Sequence, residues 1–586
     1  MKRISLLLCV MSLLVACSTS KDQLSPNGKL RVSVQDGVGL TVDYKDGKAW
    51  QTVMKIDADV KPAKNSSLRT SKVEYDMLTG KRSHNTNEFL QRFYYDATGN
   101  SEIIIRAYND GVAIKAVSPN EIHTDFSSSK NRWLMRWSDS YEGFFPLNPA
   151  KKEGDRIGYP ALFEYENGVF ALLSESGIDR INAASTMFSD STGTKFWLRP
   201  DGDEIGGWQT LIVGSLADVV ESTLITDNSD PCRLEDTSWI EPGVASWIYW
   251  AYNHGSNDME IIRMYIDMAV ELKLPYVLID AEWDEMKDGY TVEDAVKYAV
   301  DRGIKPMIWY NSSVGWLNGA PGPKFRLNDP ADREKELAWC ESIGVKGVKI
   351  DFFSGDNNMN VRYMLDLIES CAKHHLLVNF HGAPIPRGWM RTYPNLISTE
   401  GVYGAEWYNN TPMFTKRAAA HNAMLPFTRN VVGSMDYTPC AFTDSQHPHI
   451  TTHAHELALT ALFESGIQHL ADRPESFLAQ PQEVKDYLGK LPTAWDDTKY
   501  ISGYPGESAV LARRKGSAWY VAGINGLDDP QELDLSVLSS LKISFSKAIL
   551  FEDSGSADDP WKITSPSTLP SSIKCLSRGG FVLVLE

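Results

Sequence analysis

From about residue 30 to residue 231, apolar and polar positions alternate in short runs broken by turn residues. Leu30, Val32 and Val34 show the period, as does the run Ile103-Ile104-Ile105-Arg106-Ala107-Tyr108, and Val169-Phe170-Ala171-Leu172-Leu173 is apolar throughout. A period of two predicts strands with one buried face. Asn109-Asp110-Gly111 and Pro200-Asp201-Gly202 supply the tight turns. No sustained helical period interrupts this region, so it predicts a two-sheet β-sandwich. Near Glu241-Pro242-Gly243 the pattern changes. Apolar runs at 245–250, 276–280, 305–310, 345–350 and 376–380 now alternate with helical periods at 258–272, 292–302, 329–343 and 359–374. Ile261, Ile262, Met264, Tyr265, Met268 and Leu272 carry the period of the first helix, and Gly303 and Gly344 end two others. Near-continuous apolar strands between helices predict a parallel sheet buried on both faces. A Rossmann sheet needs a G-x-G-x-x-G turn after its first strand, and none follows here. Polar and aromatic strand ends instead suit a (β/α)8 TIM barrel, which gathers its chemistry there: Trp250, Asp280, Trp309-Tyr310, Asp351 and Phe380-His381. Segments 396–398, 423–428 and 457–470 are expected to complete it. Short strands return after residue 480 as a smaller β-sandwich. The fold class is therefore multidomain β and α/β: an N-terminal sandwich over 27–235, a barrel over 236–478 and a C-terminal sandwich over 479–586.

The first residues stand outside this plan. Lys2-Arg3, an apolar stretch over 6–15 and Ala16-Cys17 form a secretory signal, too short to span a bilayer. Leu14-Val15-Ala16-Cys17 resembles a bacterial lipoprotein box. That resemblance implies removal of 1–16, lipidation of Cys17, a polar tether over 17–26, and an exported lipoprotein in the periplasm or at the outer membrane. An ordinary signal peptidase site at the same place is the alternative. The formal charge of −18 argues against a nucleic-acid partner, since a phosphate backbone requires a basic surface. The 17 Trp and 24 Tyr suit a carbohydrate site, although a large core needs aromatics too. Cys232, Cys340, Cys371, Cys440 and Cys575 are scattered and odd in number, which predicts neither a disulfide framework nor zinc spacing.

Candidate chemistry concentrates in 345–407. Asp351 ends an apolar strand, and Glu400 and Glu406 lie in a segment rich in Gly, Tyr and Trp. Asp after a strand is also a common helix N-cap, so position alone leaves Asp351 open. Two carboxyl groups flanking one bond are what glycoside hydrolysis requires. Asp280, Trp283, Trp309, Lys349, His381 and Arg391 are candidate substrate contacts at or near strand ends, or else supporting structure. Glu175 follows an apolar run and, taken alone, reads as a loop acid. His447-Pro448-His449 and His453-x-His455 read as a loop and a helix start, without the spacing of a metal site.

Four segments together carry a family resemblance: Val348-Lys349-Ile350-Asp351-Phe352, Val378-Asn379-Phe380-His381-Gly382, Arg391-Thr392-Tyr393-Pro394-Asn395, and Thr399-Glu400 to Ala405-Glu406. They resemble glycoside hydrolase family 97, as does the order of the three parts. In that family's inverting branch a base Glu follows the His directly; here Gly382 stands there. Its retaining α-galactosidase branch uses the Asp of the Lys-Ile-Asp-Phe segment as nucleophile. The resemblance thus implies an exo-acting retaining α-galactosidase on oligosaccharides with terminal α-galactose, with Asp351 as nucleophile and Glu406 as acid and base. It also implies a Ca2+ ion held by Glu175, Glu400 and Glu406. The alternatives are a retaining glycosidase for another galacto-configured sugar, such as a β-L-arabinopyranoside, and a non-catalytic surface glycan-binding lipoprotein. The oligomeric state is not readable from the sequence.

Overall fold

The computed structural model describes residues 22–35, 39–57, 60–62, 68–96, 102–116, 121–136, 146–147, 152–181, 184–200, 206–248, 255–444, 447–556 and 558–586. Residues 1–21, which hold the expected secretory leader and Cys17, and Trp250 lie outside the described residues.

The N-terminal domain links 17 described strands in one hydrogen-bonded network with antiparallel pairings. The alternating pattern sets its register: Val32 stands opposite Val42 and Val34 opposite Leu40, all buried. A one-residue slip would turn these side chains to solvent. The strand Phe170–Ser176 is buried along its whole length, between Asp155–Glu164 and Trp208–Gly214. Glu175 is therefore a fully buried strand residue, and its reading as a loop acid is corrected.

The central domain is a nearly closed parallel barrel. Its strands are β1 (Gly243–Ile248), β2 (Tyr276–Ile279), β3 (Lys305–Asn311), β4 (Gly347–Asp351), β5 (Leu377–Phe380), β6 (Leu396–Thr399) and β7 (Ile467–Leu470). They pair in the order β6-β5-β4-β3-β2-β1-β7. Outside them run α1 (Met259–Leu272), α2 (Val292–Val300), α3 (Pro330–Ile343) and α4 (Asn358–Lys373). The expected helix boundaries follow from capping. Asp258 accepts from the amides of Glu260 and Ile261 at the start of α1, and Gly344 ends α3 at φ 103°. Asn357, not Asp351, caps α4, so the N-cap alternative for Asp351 falls away.

Seven described strands are present where eight were expected. Residues 423–428 do not form a strand: Leu425–Phe427 and Arg429–Val432 are 3-10 turns, and Pro426 offers no amide to a sheet. The eighth place is taken by the segment around Met435, which bridges Thr399 of β6 in parallel. Asp436 then reaches His469 of β7, with Nδ1 donating at 2.8 Å. One bridge and one ion pair thus close the wall where a strand was predicted.

The C-terminal domain is a six-stranded antiparallel sheet with a separate two-stranded pair. Arg513 fastens it to the barrel by donating to the carbonyls of Ala461 and Leu462 at 2.8 Å, both at the end of the helix His453–Leu462.

Candidate active site

β4 delivers Lys349 and Asp351, two residues apart on the same side of the strand and both buried. The Asp351 carboxylate accepts from Trp309 Nε1 at 3.0 Å and from the Phe352 amide at 2.8 Å. Lys349 Nζ stands 3.7 Å from it and 2.9 Å from Asp280 Oδ2. Asp280, just past β2, also accepts from Trp247 Nε1 at 2.7 Å, and its amide is held by Ser256 Oγ at 2.9 Å. The strand ends thus place one ammonium between two carboxylates inside the barrel mouth. Burial disfavours the Lys349 charge, but Asp280, Asp351 and Glu406 outweigh burial and raise its pKa.

The turn after Asp351 is locked. Phe352 sits at φ 67°, a left-handed conformation costly for an aromatic residue. Ser312 Oγ donates to the Phe352 carbonyl at 2.8 Å, and the Ser312 amide donates to the Asp351 carbonyl at 2.8 Å. Gly382, just past β5, packs on the other side at φ 47°. A Cβ on Gly382 would stand 2.9 Å from the Phe352 nitrogen and 3.0 Å from Asp351 Oδ1. The Asp351 carboxylate and a side chain at residue 382 therefore compete for one space.

Glu406 lies in the first turn of α5 (Ala405–Asn410), half-buried over the barrel mouth. Its pKa is pushed up to about 7 by burial, with Asp351 and Asp280 adding to burial and Lys349 opposing it. The group is thus a carboxyl that carries a proton near neutral pH. Glu400, buried just past β6, accepts from the Gly382 amide at 2.7 Å and lies 3.4 Å from His381 Nδ1. His381 donates from Nε2 to Asp436 Oδ2 at 2.7 Å, and Asn379 donates to the same oxygen at 2.8 Å. Asp436 is held well below the carboxylate range: burial works against its charge, and His469 and His381 prevail. Asp436 was not legible in the sequence, because no strand run leads to it.

Three expected site residues are placed elsewhere. Trp283 is buried in the barrel wall, its Nε1 donating to the Trp309 carbonyl at 2.6 Å and its ring stacked on Trp339. Arg391 donates to the carbonyls of Thr226, Asp227 and Ser229 and lies over the Tyr75 ring, so it joins the barrel to the N-terminal domain. Glu175 Oε2 accepts from Arg387 Nε at 3.0 Å, and Oε1 accepts from the Ser185 amide at 3.0 Å and from Gln209 Nε2 at 2.8 Å. Arg387 also pairs with Asp356, and all three charged groups are buried. Ca2+ takes six to eight oxygen ligands, and a carboxylate saturated by a guanidinium is a poor one. Among the described residues, no three His, Cys, Asp or Glu side chains group so as to hold a metal. With Glu175 taken by Arg387, the three expected donors are not gathered into one calcium site in this geometry.

A parallel barrel with an oriented carboxylate on one strand end and a proton-bearing carboxyl above it defines a class, that of barrel glycosidases. Comparison with known proteins narrows it. Residues 239–402 match Glycoside hydrolase 97, residues 24–231 its N-terminal domain, and residues 494–586 its C-terminal, oligomerisation domain. The chain belongs to glycoside hydrolase family 97 and is a glycoside hydrolase. A probable retaining alpha-galactosidase of Streptomyces bingchenggensis is 35% identical over 523 residues, covering 84% of this chain and 78% of the relative. A retaining alpha-galactosidase of Bacteroides thetaiotaomicron is 26% identical, covering 94% of each. A crystal structure of a beta-arabinopyranosidase superposes with a TM-score of 0.86 at 26% identity, covering 96% of this chain and 99% of that one. Membership of an enzyme family, with both carboxyl groups present, replaces the glycan-binding alternative.

Proposed function

We propose that the chain is an exo-acting retaining α-galactosidase that works by double displacement. The observation that carries this reading is the fit of Gly382 against Asp351. The Cβ of any other residue at 382 would crowd the Asp351 carboxylate. The site thus accommodates a nucleophile on β4 at the expense of a base after His381. In the first step an Asp351 oxygen forms a bond to the anomeric carbon while the glycosidic bond breaks. Glu406 gives its proton to the departing oxygen. In the second step the ionised Glu406 takes a proton from water, whose oxygen displaces Asp351 and regenerates both groups. Trp309 Nε1, the Phe352 amide and Lys349 hold the attacking carboxylate in place. The two retaining alpha-galactosidases among the relatives support the substrate assignment. Brief reaction with a 2-fluoro-galactosyl fluoride should add one fluorogalactosyl unit to the peptide containing Asp351, read by mass spectrometry. Labelling elsewhere would remove Asp351 from its role.

The same site supports a second reading, a β-L-arabinopyranosidase, because of the structural neighbour of that activity. The two sugars differ in the hydroxymethyl group on C5, so relative kcat/KM for the two nitrophenyl glycosides decides between the readings. Calcium dependence stands as a separate proposal, supported by the resemblance of the Glu400 and Glu406 segments alone. It predicts loss of activity on exhaustive chelation and recovery with added Ca2+; full activity in the chelated protein would dismiss it.

A further inference from the structure

The loop after β3, at the barrel mouth, exposes three large apolar side chains. Trp316 is 51% exposed, and Leu317 and Phe325 on the same loop are exposed as well. Exposed apolar groups gathered in one place mark a contact surface more often than chance scatter does. The Trp316 ring is fixed in place, since Nε1 donates to the Asn318 carbonyl at 2.8 Å and the ring meets Phe352 edge-on at 4.9 Å. The Phe352 ring meets Trp309 in turn at 5.7 Å, and Trp309 donates to Asp351. Three rings therefore run from the buried nucleophile outward to water.

This row of rings is rigid before any ligand arrives. A Cβ on Gly315 would stand 2.2 Å from the Phe352 carbonyl oxygen, so only glycine lets the loop lie this close. Ser312 joins the same contact by its hydroxyl bond to that carbonyl. A preformed surface binds without the cost of ordering it.

The sugar that is cleaved must reach Asp351, below the rim. Whatever it is joined to projects outward past the rings. We propose that Trp316, braced edge-on by Phe352, forms the subsite for the leaving group, its indole face stacking on the C–H face of a second pyranose unit. The natural substrates are then α-galactosides of another sugar. This assignment rests on the α-galactosidase reading above. An indole face offers apolar area and polarisable π density, which suits the C–H-rich face of a pyranose ring.

The test compares two substrates that share the galactosyl unit and differ in the leaving group. One is α-galactosyl fluoride, whose leaving group cannot stack; the other is an α-1,6-linked galactosyl-glucose disaccharide. The readout is the ratio of kcat/KM for the disaccharide to that for the fluoride. In Trp316→Ala this ratio should fall at least about tenfold from wild type, and in Trp316→Phe only about threefold or less. A ratio within about twofold of wild type in Trp316→Ala overturns the subsite. A wild-type protein that turns over neither galactoside removes the functional reading, and the subsite with it. A wild type active on both with an unmoved ratio removes the subsite alone.

Discussion

At the scale of single residues, the site surrounds two carboxyl groups in opposite ways, which suits the opposite tasks proposed for them. Asp351 is met by two N–H donors and a nearby ammonium, whereas Glu406 faces burial and two other carboxylates. Glu406 carries its proton up to about pH 7 and loses it above. The first step needs that proton, so kcat/KM for an unactivated galactoside should fall as pH rises through about 7. In Glu406→Gln that alkaline limb should vanish, while substrates with strongly acidic leaving groups still form the glycosyl-enzyme. Persistence of the limb in the variant would assign it to another group. Gly382 gives a second prediction at this scale. Gly382→Ala should displace Asp351 and lower kcat at least about tenfold, or roughly 1.4 kcal/mol in the barrier. Unchanged turnover in that variant would show that the close approach has no catalytic consequence.

At the scale of elements, the strand ends were legible because each carries its chemistry directly after an apolar run. Asp280, Trp309, Lys349 and Asp351 all fall where that pattern put them. The eighth barrel element was not legible, since a single bridge at Met435 and the buried Asp436 need no apolar run. Trp283 and Arg391 looked like site residues because sequence cannot tell which side of a wall a side chain faces. Glu175 was misread for a related reason: its partner Arg387 is distant in sequence and lies in another domain. The loop from Gly382 to Arg391 is thus clamped to the N-terminal domain by Glu175 and by the carbonyls that Arg391 binds. Removing the guanidinium by Arg387→Met leaves Glu175 and Asp356 buried without it, at a cost of about 3–5 kcal/mol. Thermal unfolding should register that loss, with partial recovery in Arg387→Lys. An unaltered Tm would mean the pair contributes nothing to the domain contact.

At the scale of the whole molecule, three domains serve one barrel mouth. The N-terminal domain grips the loop behind Gly382, and the C-terminal sheet is fastened through Arg513 to the helix that precedes β7. Family membership follows from matches spread over all three domains. Mechanism cannot be read at this scale, because both inverting and retaining chemistry are compatible with the same architecture. In the mechanism proposed here it turns on whether position 382 bears a base or leaves room for Asp351. The stereochemistry of the first product reads that difference directly. Proton NMR of early hydrolysis by the wild-type protein should show α-galactose first, with the β anomer growing only by mutarotation. β-Galactose as the initial product would contradict the account.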